Sequence, residues 1–118
     1  MHKTILVSED IEQGRRLLSR LEGVLRIAAA FWFHFDEEDW KLVVVSPDVP
    51  EKGPRALYSE ILPILKNFEH DPQAPMQFPF NRVKLESPNT WFYKRVRQQN
   101  GARAREGEGL DSYIYKMD

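Results

Sequence analysis

FWFHFDEEDW, residues 31–40, sets Phe31, Trp32, Phe33, His34 and Phe35 immediately before four consecutive acids and Trp40 immediately after them. Leu42, Val43, Val44 and Val45 follow. Apolar residues on both parities of each flank describe two strands that must be covered on both faces, joined by an acidic loop. If residues 36–39 are the loop, Phe35 faces Trp40, Phe33 faces Leu42 and Phe31 faces Val44 on one side. On the other side His34 then faces Lys41, Trp32 faces Val43 and Ala30 faces Val45. Cross-strand pairs of this kind stabilise a hairpin. A slip of one residue would exchange every facing.

Outward from the hairpin, Ser8, Glu9 and Asp10 form a helix start, with acids at the positive end of the dipole. Ile11, Leu18, Leu21 and Leu25 follow at helical spacing, and Gly23 is a suitable stop. Gly14 lies on this apolar stripe, where close packing against a neighbouring backbone would account for it. After the hairpin, Pro47 and Pro50 mark a connection, and Gly53-Pro54 opens a second helix carrying Leu57, Ile61, Ile64, Leu65 and Phe68. Pro63 predicts a kink or two short helices there. Residues 69–79, with three prolines, read as an irregular loop. Val83 and Leu85 alternate as inward residues of a strand. Ser87-Pro88 predicts a third helix carrying Trp91, Phe92 and Val96, and residues 101–109 (GARAREGEG) a mobile loop. Tyr113 and Tyr115 share one face of a last strand, with Ile114 on the other.

These elements define an α+β fold in a single domain, residues 1–118, in the order α-β-β-α-β-α-β. A mixed four-stranded sheet with an N-terminal antiparallel hairpin is expected. Right-handed crossovers running in one direction would place the second and third helices on one face.

Composition narrows the function classes. The chain has 118 residues, 42% hydrophobic and 30% charged, with a formal net charge of −1. That length suits one buried core, and that charge creates no global attraction to nucleic acid or anionic lipid. The absence of cysteine excludes thiolate chemistry and disulfides and fits a cytoplasmic setting. The N-terminal apolar run is too short for a secretory signal, and no run approaches a membrane span, so no membrane association is expected.

Few residue groups suggest chemistry. The acids at 36–39 lack the alternate spacing, glycine and distal glutamate of a calcium loop, and a solvated turn explains them. His34, beside Lys41 and near Asp36, has the residue types for a general base. His2, His34 and His70 lack metal-ligand spacing, so no metal and no cofactor are expected. Lys94, Arg95, Arg97, Arg103 and Arg105, following Trp91 and Tyr93, could neutralise phosphates beside stackable rings. Pro47-Asp48 suggests a nuclease core, but the spaced Glu-x-Lys that would complete it is missing.

The segments DIEQGRRLLSRLE, AAAFWFHF, DEEDWKLVVVSPDVPEKGPRALY, VKLESPN and SYIYKMD together resemble uncharacterised bacterial stand-alone proteins of similar size. The resemblance implies a bacterial, cytosolic, single-domain protein and brings no activity with it. The residues themselves lead to a binding protein, not an enzyme. It would self-associate or dock a protein partner through the aromatic hairpin, residues 31–45, with Trp32, His34, Phe35 and Trp40 as contacts. Nucleic-acid binding through Lys94, Arg95, Arg97, Arg103 and Arg105 is the alternative, ahead of a small hydrolase or nuclease.

Overall fold

A computed structural model describes residues 5–35, 39–100, 106–109 and 112–117. The expectations that rest on His2, Asp36, Arg103 and Arg105 fall outside them. The first helix, α1 (Ser8–Leu21), leads into strands β1 (Ala29–His34) and β2 (Trp40–Val45). A short α2 (Asp48–Lys52) and the longer α3 (Pro54–Glu69) follow, then β3 (Val83–Glu86), α4 (Trp91–Asn100), β4 (Gly107–Gly109) and β5 (Ser112–Met117). The result is one α+β domain with a five-stranded mixed sheet in the order β3-β2-β1-β5-β4. The expected four strands gain β4, because Gly107–Gly109 pairs antiparallel with β5 instead of remaining loop.

The hairpin forms in the other register. Phe31 faces Val43, Trp32 faces Leu42, Phe33 faces Lys41 and His34 faces Trp40. The facings are therefore shifted by one from those expected. Hydrophobicity could not choose between them, because both faces of β1 are covered: Ala29, Ala30, Phe31 and Trp32 are all buried.

Coverage of the two faces also differs from expectation. Residues Leu17, Leu18 and Leu21 of α1 and Leu57, Ile61 and Leu65 of α3 pack with Trp32, Leu42 and Val44. On the opposite face, Tyr93 and Val96 of α4 pack with Phe31, Val43, Val45 and Ile114. The cause is the strand order. The β2-to-β3 crossover steps outward from β2, whereas β3 to β5 runs back past β2 and β1. Right-handed crossovers in opposite directions deposit their helices on opposite faces.

Local chemistry sets the helix boundaries. The Asp10 carboxylate accepts the Val7 amide at 3.2 Å, occupying one of the free amides at the start of α1. At the other break, Gly53 takes φ 87°, a conformation that favours glycine, and so separates α2 from α3. The division falls there and not at Pro63, which lies within the continuous α3. The helix expected from Ser87-Pro88 starts at Trp91, with the Tyr93 amide donating to Thr90 Oγ1 at 3.3 Å.

The Gly14 contact is made by side chains, not by backbone. Trp32 Nε1 donates to Tyr115 Oη at 2.8 Å, and Tyr115 Oη donates to the Ile11 carbonyl at 2.5 Å. A Cβ on Gly14 would meet Tyr115 Oη and lie 2.9 Å from Trp32 Nε1. Burial pushes the Tyr115 phenol well above its ordinary value, which keeps it a neutral donor.

Asp48 ties the connection after β2 to the segment before β1. Its carboxylate accepts the Arg26 amide at 2.9 Å and the Arg26 guanidinium at 2.9 and 2.6 Å. The amide first, then the guanidinium, holds the carboxyl below the usual aspartate value.

Two outcomes follow for stability. Gly14→Ala gains about 1 kcal/mol of helix propensity but forces the indole and phenol apart, and a net loss of about 1–2 kcal/mol is expected in urea denaturation. For Asp48→Asn, the lowered pKa means that the wild-type advantage is complete above the ordinary aspartate value of about 4 and disappears as pH falls through the folded-state value. Urea midpoints of the two proteins should converge at acid pH and separate at neutral pH.

Candidate functional site

The Phe35 end of β1 and the first turn of α4 meet on the α4 side of the sheet. Alternation along β1 sends Phe31 and Phe33 to that side, and Phe35 follows. Phe92 packs among them. Its ring centroid is 6.3 Å from that of Phe31, 5.1 Å from Phe33 in an edge-on arrangement, and 5.5 Å from Phe35 in a stacked one. Phe33 and Phe35 contact each other at 4.9 Å. Such pairs contribute about 0.5–1.5 kcal/mol each beyond the area they bury.

Cations border these rings. Lys84 Nζ lies 5.2 Å from the Phe35 centroid and 5.9 Å from that of Phe92. Lys41, opposite Phe33 across the hairpin, belongs to the same side. On α4, Tyr93 and Val96 are buried, so Trp91, Lys94 and Arg95 project from the opposite, exposed face. Trp91 is 71% exposed, and the Arg95 guanidinium carbon sits 5.0 Å from its ring centroid. The buried ring of α4 is that of Tyr93.

The sequence-derived contact residues separate into three groups. Trp32 has no exposed surface and belongs to the core between the sheet and α1/α3, which withdraws it as a partner contact. His34 and Trp40 stack on each other at 5.2 Å on the Trp32 side of the hairpin, both half-buried, with the Trp40 indole nitrogen buried and without an acceptor. Phe35 alone of the four lies with the Phe92 rings. Of the basic residues, Lys94, Arg95 and Arg97 are exposed on α4.

The residues considered for catalysis are placed as follows. Lys41 faces Phe33 and not His34, and Asp36, the other expected neighbour of the histidine, lies outside the described residues. Asp48 and Glu51, the acids of the nuclease-like segment, both bind Arg26. No group of three or more His, Cys, Asp or Glu side chains that could hold a metal occurs among the described residues. No described helix is long and apolar enough to cross a membrane.

Elsewhere, Arg15, Glu106 and Tyr113 form a hydrogen-bonded cluster between α1 and β5. Burial alone would raise the Glu106 carboxyl, but hydrogen bonds from Tyr113 and Arg15 outweigh it and hold the group below the ordinary range. The cluster contributes to the lining of an open groove of about 310 Å³ with Leu18, Ile27 and Lys116. Its charged groups satisfy one another.

In comparison with known proteins, no family model matches the chain, and neither a curated protein nor a solved structure matches it.

Burial divides the tryptophans into separable roles. Trp32→Ala should cost about 3–5 kcal/mol, as expected for a buried large ring. Trp91→Ala should stay within about 0.5 kcal/mol of wild type, as at exposed positions. Chemical denaturation of the two variants measures both.

Proposed function

We propose that the protein is an interaction module, without catalytic activity of its own, that docks a protein partner through the end of the aromatic hairpin and the first turn of α4. The supporting observation is Trp91. An indole 71% exposed, one residue from the Phe92–Phe35 stack, is the kind of large ring that anchors protein interfaces when covered. Phe35 and Phe92, both half-buried, extend the apolar surface from β1 to α4. His34 and Trp40 supply a second, flatter pair of rings at the same end of the hairpin. A cytoplasmic setting belongs to this reading and is supported by the absence of cysteine.

Edge-to-edge strand addition is a weaker route to a partner. At the β3 edge, the Leu85 amide donates to Tyr58 Oη at 3.0 Å, and Tyr58 Oη donates to the Val83 carbonyl at 3.3 Å. Helix α3 thus occupies groups that an added strand would need.

A second reading, nucleic-acid binding, is favoured by one observation: Lys94, Arg95 and Arg97 are exposed on the helix that presents Trp91. Size-exclusion chromatography with light scattering and a 260/280 nm absorbance ratio distinguishes the two. Self-docking predicts a dimer that Trp91→Ala or Phe35→Ala returns to monomer without loss of fold. Co-purifying nucleic acid, removed by Arg95→Ala with Arg97→Ala, would favour the second reading. For a partner other than a second copy, a heterologous complex lost in Trp91→Ala is the expected result.

A further inference from the structure

Ion pairing is unevenly distributed over the molecule. Among the described residues, Arg15, Arg16, Arg26 and Arg82 carry the side-chain ion pairs, with Glu12, Glu106, Asp71, Asp48, Glu51 and Asp10. None of these acids approaches the cations of the α4 side. Lys41, Lys84, Lys94, Arg95 and Arg97 have no carboxylate within ion-pair distance among the described residues, and Lys84 and Arg95 lie over rings instead. Beside Phe35 and Phe92, and on the exposed face of α4 with Trp91, stand Lys84, Lys94 and Arg95, which form no ion pair among the described residues.

Resting on the docking surface proposed above, we infer that its partner is an acidic protein segment, rich in Asp or Glu and carrying at least one aromatic or aliphatic anchor. Charge complementarity supplies the acids: carboxylates beside Lys84, Lys94 and Arg95 would meet unpaired cations at the rim, where such contacts guide association and exclude wrong partners. The rings supply the anchor site: Phe35 and Phe92 are half-buried, and Trp91 is exposed one residue from Phe92 in the same turn of α4. A single-stranded nucleic acid also brings negative charge, but a stacking track for bases uses successive open ring faces. Here Phe35 and Phe92 stack on one another, and Arg95 lies over the Trp91 ring. Carboxylates with an apolar side chain between them use what this surface offers more fully than phosphates and bases do.

The test uses the full chain and calorimetric titration with four probes: a short Glu-rich peptide with one central Phe, the same peptide with Gln for Glu, the same with Lys for Glu, and a short oligothymidylate. The expected result is saturable binding of the Glu peptide, at least about tenfold tighter than the Gln peptide at low salt and weakened by added salt, with no binding of the Lys peptide. Lys94→Glu with Arg95→Glu, both at exposed positions, should reverse the preference towards the Lys peptide while leaving the urea midpoint unchanged. Equal binding of the Glu and Gln peptides, still lost in Trp91→Ala, would overturn the acidic partner and leave the docking surface standing. Tighter binding of oligothymidylate than of the Glu peptide would overturn the proposal in favour of nucleic acid. No peptide binding together with a dimer that Trp91→Ala dissociates would overturn it in favour of a second copy. No Trp91-dependent binding or association of any kind would remove both the partner and the surface.

Discussion

Strand β1 must be covered on both faces, and the architecture is arranged around that requirement. Phe31 and Trp32 are adjacent residues, point to opposite sides of the sheet, and are both fully buried. One helical layer could cover only one of them. The chain covers Trp32 with α1 and α3 and Phe31 with α4. The reversal of crossover direction between β2–β3 and β3–β5 is what sends α4 to the far side. Placing β1 at the centre of the sheet, with β2 and β5 on either side, also pairs its backbone groups on both edges.

The two layers then differ in character. On the α1/α3 side the Trp32 indole is bonded to Tyr115, Tyr115 to the backbone of α1, and Arg82 Nη1 to Asp10 at 3.4 Å, with the guanidinium over the Trp32 ring and its Nε and Nη2 buried without a hydrogen-bond partner. This side also recruits Met76 and Phe78 from the proline-rich loop, with the Met76 amide bonded to the Phe68 carbonyl at 2.8 Å. On the α4 side the cover is thinner. A ten-residue helix buries Tyr93 and Val96 and leaves Phe33, Phe35 and Phe92 only partly covered, beside cations that form no ion pair among the described residues. A fully covered layer behind a thinly covered one is a physically reasonable basis for presenting a binding surface, because ring-on-ring packing at its edge orders the side chains before a partner arrives.

Much of this organisation was legible in the residues. Alternation at Val83 and Leu85, the Tyr113/Tyr115 face and the Gly53-Pro54 helix start each carry a strong local signal, and each is in place. The role of Gly14 was only half legible. A glycine on an apolar stripe indicates a close approach, but the approaching groups are a phenol and an indole from strands far along the chain. Met76 and Phe78 gave no periodic signal, since a loop has no repeating face. Which ring of α4 is buried was not legible: helical phase assigns the buried face to Tyr93, Val96 and Asn100 and leaves Trp91 outside it. That phase depends on where the helix starts, three residues after Pro88.

By itself the sequence determined most of the elements and their order, without α2 and β4, and the need for two apolar layers around an aromatic hairpin. Those properties follow from short-range chemistry: turn residues, caps, and the periods of strand and helix. Hairpin register, the side on which each helix lies, and the exposure of Trp91 were decided only in three dimensions. Register is marked by contrast between a wet and a dry face, and FWFHF has no such contrast once both faces are buried. The side taken by α4 depends on where β5 inserts, a long-range pairing with β1 that no local pattern encodes. The meeting of Phe92 with Phe33 and Phe35 likewise exists only once α4 is packed against the hairpin.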